Sequence, residues 1–307
     1  MADPMRNTDF RSVVEPILSD TFDGIYDQRD DEWAQCFDEF TGTKRAYHEE
    51  PVLYGFGAAP ELPDGVPVTY QSGGVLFIKR YIYKVYGLAF AITKVLAEDG
   101  DHIQLGKTYA EHLAQSLIET KETLCANVLN YSFNGGVPTA VGGDGVSLCN
   151  TAHPIASGTF SNVLATAAAL SQTSLEQMLI QIRNAVDNNG KRIRLTPTQI
   201  VGGSNQLFQS EVLLKSVLRT GTNNNDINPV RSVGMLKKGS AILSRITSTT
   251  AWWVQTDAKR GLRLAMRRKL EKSMEGDFDT DSMRYKSTER YIPGFTDPRT
   301  VWGTAGL

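Results

Sequence analysis

The chain has 307 residues, 41% hydrophobic and 21% charged, and its 32 Lys and Arg against 34 Asp and Glu leave a formal charge of −2. These proportions fit a soluble globular protein with a sizeable core, in about two lobes by length, and exclude disordered, collagenous and membrane classes. They also exclude binding of nucleic acid over the whole surface, which needs a clear cationic excess, and leave only local basic patches open.

Met1-Ala2-Asp3-Pro4 lacks the positive start and apolar run of a secretory signal, so a cytoplasmic chain is expected. The stretch to Gly42 interleaves Asp20, Asp23, Asp27, Asp30, Asp31, Glu32, Asp38 and Glu39 with Phe22, Ile25, Tyr26, Trp33, Phe37 and Phe40. That mixture is too aromatic for a solvated tail and must lie against something. His48-Glu49-Glu50 reads as a surface ion cluster. From Pro51 to Pro67 the density of proline and glycine excludes a core helix and predicts a loop. Val68 to Tyr86 is β-branched and aromatic, and Val75, Phe77, Tyr81, Tyr83 and Val85 share one face of a strand. Together these predict a long hairpin with a loose tip. Lys79, Arg80 and Lys84 interrupt the apolar run from Val75 to Ile92, so it cannot be a membrane span.

Between His102 and Tyr131, Tyr109, Leu113, Leu117, Leu124 and Val128 recur every three to four residues, which predicts one helix about 40 Å long. Glu111, Glu119, Lys121 and Glu122 are assigned to its other faces, and Gly135-Gly136 to its end. Gly106-Lys107-Thr108 at its start imitates a phosphate-binding loop, which would make the chain a P-loop ATPase using Lys107 and Thr108. Asp101 stands where that motif needs its first glycine. Neither His102 and His112, ten residues apart, nor any other histidine forms a metal-ligating pair.

After the turn Gly142-Gly143-Asp144-Gly145, a second helix is predicted from Ser174 to Val186, a strand at Gln199-Ile200-Val201 and a helix from Leu207 to Leu218. Gly202-Gly203-Ser204-Asn205-Gln206 resembles a nucleophile elbow whose second glycine is replaced by Gln206, and reads as a strand end. Basic clusters at Lys237-Lys238 and at Arg260, Arg263, Arg267, Arg268 and Lys269 read as solvated or paired with a partner's acids, with nucleic-acid contact as the alternative. Met283, Tyr285 and Tyr291 alternate with Arg284, Lys286 and Arg290, which predicts a strand with one apolar and one basic face. Cys36, Cys125 and Cys149 are too dispersed for a local disulfide or metal motif and are expected to be buried thiols in a reducing compartment. No catalytic, cofactor-binding or metal site is expected. The acidic aromatic stretch, the hairpin and the long helix look instead like parts for reaching identical neighbours.

Several short pieces carry a resemblance. They are Gly55-Phe56-Gly57, Ala59-Pro60-Glu61 and Pro63-Asp64-Gly65 in the hairpin, then Gly87 to Thr93 running into Glu98-Asp99. Asn150-Thr151-Ala152-His153-Pro154, Gly158 to Asn162, Gly234-Met235-Leu236, Ser273 to Thr280 and Asp297-Pro298-Arg299 follow in order. From about Lys44 onward the chain resembles the major capsid proteins of tailed bacteriophages with the Hong Kong 97 fold. The first forty or so residues match less clearly.

The resemblance implies an α+β chain with an N-terminal arm (1–43), an extended-loop hairpin (44–87) and a peripheral domain with a spine helix (88–140). An axial domain (141–264) and closing peripheral strands (265–307) complete it. His153-Pro154 and the glycine turns would shape backbone, with His153 held extended at a loop exit. The implied function is self-assembly as hexamers and pentamers into an icosahedral head around double-stranded DNA, in a virion built in the host bacterial cytoplasm. The implied partners are further copies, a portal protein at one vertex, a separate scaffolding protein because the arm begins at once, an optional decoration protein and weak non-specific DNA contacts, with no membrane. An encapsulin-like compartment is the alternative within the fold. Some members of the fold join an extended-loop lysine to a neighbour's asparagine; no lysine lies between Pro51 and Ile78, so a shell without such cross-links is expected.

Overall fold

The computed structural model describes residues 7–27, 31–41, 45–93, 102–219, 226–277 and 282–306. Helix α1 (Asn7–Tyr26) packs on the long helix α2 (His102–Asn130), whose 29 residues span about 43 Å. Val14, Leu18 and Phe22 of α1 meet Ala110, Leu113, Ala114 and Leu117 of α2 over Met274, Met283 and Tyr285. The helical period places Leu113, Leu117 and Val128 inside as predicted, whereas Tyr109 at the N-terminal end is partly exposed. Lys121 and Glu122 depart from expectation, because both are buried on the stripe. Lys121 forms an ion pair of 2.9 Å with Glu289 and reaches the Tyr26 hydroxyl at 2.5 Å; Glu122 accepts from the Trp33 amide at 3.1 Å.

The acidic aromatic stretch also differs from a part meant for neighbours, since in the described residues it is sewn into its own chain. Trp33 and Phe37 enter the main core with Cys125, Val128, Leu129, Trp253, Leu264 and Phe295. Glu32 accepts from the Ser244 amide at 2.8 Å, and β1 (Asp38–Thr41) pairs in parallel with β10 (Leu262–Asp277). Asp30 and Gly42 lie outside the described residues.

Strands β2 (Tyr47–Tyr54) and β3 (Gly74–Ile82) form an isolated two-stranded sheet, the predicted hairpin, with residues 55–73 as its irregular loop. The expected single strand from Val68 to Tyr86 is thus two strands. At Tyr83 the chain leaves the hairpin and begins β4 (Lys84–Ile92), which joins the sheet β1-β10-β11-β4 beside β11 (Ser282–Phe295). Strand β11 shows the predicted alternation, with Met283, Tyr285 and Tyr291 buried and Arg284 and Lys286 exposed.

The small hairpin β5 (His153–Ile155) and β6 (Gly158–Phe160) leads to α3 (Gln172–Arg183), which Ser171 starts with a capping box to Ser174. A second sheet, β12-β9-β7-β8, is built from β7 (Pro197–Gly202), β8 (Gly239–Ile242), β9 (Trp252–Thr256) and β12 (Val301–Thr304). Helices α4 (Leu207–Lys215) and α5 (Pro229–Val233) pack against each other. Both faces of this sheet are covered: Val201 and Trp253 face the main core, while Ile200, Trp252 and Val254 face Leu175, Met178 and Ile182 of α3. Burial on two faces explains why its strands read as continuous apolar runs with little alternation.

Candidate assembly surface

Eight and nine residues of strand carry the hairpin about 27–30 Å from its root before the loop begins. Its outer half is apolar and uncovered: Tyr70 is 96% exposed, and Leu53, Phe56, Val68, Val75 and Ile78 are each more than half exposed. A two-stranded ribbon with this much exposed apolar surface is marginal alone in water and suits burial on another surface. The predicted common face holds only where the body covers it, with Tyr81 and Tyr83 buried but Val75 and Val85 exposed.

The root, in contrast, is tied down by polar groups. Glu50 is 8% exposed and is not part of a surface ion cluster. It accepts from Arg263 at 2.5 Å and Thr296 at 2.7 Å, with His48 at 3.3 Å, and Tyr81 in turn shares a 2.6 Å hydrogen bond with Thr296. Strand alternation turns the neighbouring Glu49 outward to an exposed pair with Arg80 at 2.6 Å. Burial disfavours a charged Glu50, but the hydrogen bond from Thr296, the Arg263 cation and the hydrogen bond with His48 outweigh it and hold the carboxyl below its usual range. On the same face Lys79 is 6% exposed, donates to the carbonyls of Val141 and Pro138, and lies 5.4 Å from the Phe295 ring centroid. Burial pushes its ammonium down to about 8, partly offset by Asp144.

The turn predicted at Gly142 to Gly145 is the platform for this root. A Cβ at Gly143 would lie 2.8 Å from the Lys79 backbone nitrogen and 2.8 Å from the Phe77 ring, so only glycine permits the approach. Beyond it, Asn188 donates to the Leu53 carbonyl at 2.8 Å and Arg260 to the Pro51 carbonyl at 3.3 Å. The strands are therefore tied to their own chain at points along their length, while their exposed side chains and the loop from Gly55 to Gly73 stay uncovered.

His153 stands extended at the loop exit, as expected, where it opens β5. It is fully buried, 2.7 Å from the Asp144 carboxylate and stacked on Phe160 at 4.9 Å, while Arg299 lies 4.3 Å from the same ring centroid. Asn162 joins pieces that are distant in sequence. Its side chain donates to the carbonyls of Leu148, Pro298 and Val301 at 2.7, 3.1 and 2.9 Å and accepts from the Asn150 amide at 2.8 Å. The segments around Asn150, Gly158 and Asp297 thus meet in one structural knot. Glu98-Asp99 and Phe278 to Thr280 lie outside the described residues.

The chemical lures take structural places. Lys107 and Thr108 lie inside α2, where their amides are committed to the helix ladder, and the Thr108 hydroxyl donates to the Gln104 carbonyl at 3.1 Å. Gly106 is packed against Leu18 and Ile92, so no cradle for phosphate exists there. Ser204 to Gln206 form a short 3-10 turn after β7, and Gln206 donates to the Thr249 carbonyl at 2.9 Å. Among the described residues no three His, Cys, Asp or Glu side chains group to hold a metal, and no helix is long and apolar enough to cross a membrane. All three cysteines are buried, and burial pushes the Cys36 and Cys149 thiols up to about 12.

The fold is shared with solved phage structures. Over 99% of this chain and 89% of the other, it matches a structure from Mycobacterium phage Patience at 13% identity with a TM-score of 0.54. The capsid of cyanophage P-SCSP1u matches at 10% identity over 89% and 86% of the two chains, with a TM-score of 0.54. A structure from Mycobacterium phage Adephagia matches at 10% identity over 91% of each chain, with a TM-score of 0.53. No curated protein sequence matches the chain significantly. A sequence profile of phage capsid proteins, however, matches residues 81–303, from the end of the hairpin through both sheets. The chain belongs to the phage capsid protein family: it is a structural protein of the capsid shell with the Hong Kong 97 fold.

Proposed function

We propose that this chain is the repeating subunit of an icosahedral head, assembling as hexamers and pentamers around double-stranded DNA. In this reading residues 1–43 are the arm, 44–87 the extended loop, 88–140 and 265–307 the peripheral domain, and 141–264 the axial domain. A portal protein occupies one vertex, a separate scaffolding protein guides assembly, a decoration protein is an optional addition, and the DNA contacts are weak and salt-screened. Assembly takes place in the host cytoplasm.

The observation that carries the reading is the hairpin: an apolar ribbon about 27–30 Å long, uncovered at its outer half and held at its root by Glu50, Lys79, Tyr81 and the Gly143 platform. A monomer gains nothing from such a feature, whereas identical neighbours can bury it once per subunit. Burial returns about 25 cal/mol per Å² of apolar area, repeated around the shell. Deleting Gly57 to Pro67 removes the loop and leaves the root intact. The expected product is a folded subunit that fails to close shells; normal shells from this variant would refute the reading. DNA inside purified particles, or its absence in favour of a cargo protein, separates a phage head from a cellular compartment.

A further inference from the structure

The edges of the two four-stranded sheets are blunted, with one exception. Strand β1 is four residues long with Asp38 and Glu39 exposed, and β8 is also four residues long. On β12 the Gly303 amide donates to the Asn162 carbonyl at 3.0 Å. The exception is β4, whose nine residues pair only with β11 and carry one charge, Lys84, with neither a proline nor a bulge to spoil the edge. Alternate residues of a strand turn both backbone groups to one side, so half of the N–H and C=O groups of β4 face away from β11. No hydrogen bond among the described residues uses them. Val85, Gly87, Leu88, Ala89 and Ala91 are all exposed, which leaves this backbone open to an incoming strand.

The hairpin loop contains a strand without a partner. Val66-Pro67-Val68-Thr69-Tyr70-Gln71 alternates with the period of two, and Val66, Val68 and Tyr70 on one side are 51%, 65% and 96% exposed. Gln71, on the other side, accepts from the Gly57 amide at 2.8 Å. The backbone of Val68, Thr69 and Tyr70 makes no hydrogen bond among the described residues. Charge matches as well, since the only charged residues from Gly55 to Gly73 are Glu61 and Asp64, whereas β4 and the adjacent outer face of β11 present the exposed Lys84 and Lys286. Within one chain the nine residues of β3 hold this segment about 30 Å from the start of β4, which turns away into the body sheet. The strand that fits the edge therefore comes from a second copy.

We infer that the free edge of β4 receives Val66 to Gln71 of a second copy's hairpin loop as an added strand. The inference rests on the reading of the hairpin as an assembly element and adds how its loop is held. Pro67 sets the parity of the pairing. It has no N–H to donate and belongs where the backbone faces away from β4, so alternation turns the amides of Val68 and Tyr70 toward β4 and that of Thr69 away.

The first test is amide exchange, followed by mass spectrometry, on the full-length chain as free subunit and as purified shell. Exchange in segments 66–71 and 84–92 should slow at least about tenfold on assembly. Free-subunit rates in either segment of the shell would overturn the inference, and protection of β4 alone would do so by placing a different occupant on the edge. The second test uses proline, which the free subunit tolerates at these unbonded amides, as circular dichroism will verify. Val68→Pro should lower the yield of closed shells roughly tenfold, because one hydrogen bond is lost at every repeated contact, while Thr69→Pro should stay within about twofold. Val68→Ala keeps the amide and should lose clearly less than Val68→Pro. Normal shells from Val68→Pro, an equal loss from Thr69→Pro, or an equal loss from Val68→Ala would overturn the inference. Deletion of Gly57 to Pro67 separates the two levels: normal shells refute the assembly role itself, whereas failed shells from the deletion, with β4 unprotected in shells of the parent, refute only this contact.

Discussion

Removing the Glu50 carboxylate should loosen the hairpin at its root. The side chain is 11% exposed and accepts from Arg263 at 2.5 Å and Thr296 at 2.7 Å, with His48 at 3.3 Å. Hydrogen bonds to a charged group contribute about 1.5–3 kcal/mol each, and truncating one partner of a buried pair leaves the other uncompensated. Arg263 keeps partial solvent access at 22%, which softens that penalty. Glu50→Ala should therefore cost about 3 kcal/mol, and Glu50→Gln, which keeps an acceptor for Thr296, about 1–2 kcal/mol. Urea unfolding of the isolated subunit measures both, and Arg263→Ala completes a double-mutant cycle with an expected coupling of about 1.5 kcal/mol. Because the folded carboxyl titrates below its ordinary 4.5, the contribution is complete above that value and is lost as pH falls through the lower folded value. The gap between parent and Glu50→Gln should narrow from pH 7 toward pH 3. A cost below about 0.5 kcal/mol, or additive single variants, would refute the placement of Glu50 as the anchor.

Other expectations follow from the same contacts. Gly143→Ala forces a Cβ to within 2.8 Å of the Lys79 backbone nitrogen and should cost about 2 kcal/mol in the same urea assay, with faster amide exchange in β3. Lys79→Met removes a buried cation but leaves the Val141 and Pro138 carbonyls without their donor, and should cost about 1 kcal/mol near pH 7. Because the folded lysine titrates near 8 and the unfolded one near 10.5, the parent should gain stability relative to Lys79→Met as pH rises from 7 to 10. Boiling purified particles in denaturing detergent with reductant should give a single band near 33.8 kDa. A surviving ladder of multimers would show cross-links that neither the lysine-free loop nor the buried Lys79 explains.

The sequence revealed most where a single period governed burial. The long helix was legible because its core stripe follows the 3.6-residue repeat, and the first half of β11 because one face meets the core of the two helices and the other meets solvent. The hairpin was legible from breakers between β-branched runs, but not its division at Tyr83, which depends on β4 finding a partner in a distant strand. Lys121 was assigned outward because charge usually is; only Glu289, on a strand far along the chain, makes its inward position tenable. The root of the hairpin was missed for a related reason. Glu50 meets Thr296 and Arg263, more than two hundred residues away, so no local spacing could have marked it as the buried member of His48-Glu49-Glu50. The pairing of His153 with Asp144 left only the glycine turn as a signal. Three of the segments that carried the family resemblance, around Asn150, Gly158 and Asp297, are structural, because they converge on Asn162 and fix the connection between the two sheets.

The central claim is that the hairpin is an assembly device whose outer half is covered by another copy. A symmetry-resolved image of the assembled particle tests it directly. A closed shell in which the loop from Gly55 to Gly73 lies on a neighbouring subunit, with Tyr70 and Phe56 buried there, is the predicted result. A shell whose hairpins fold back on their own subunits, or project into solvent with those side chains uncovered, would contradict it.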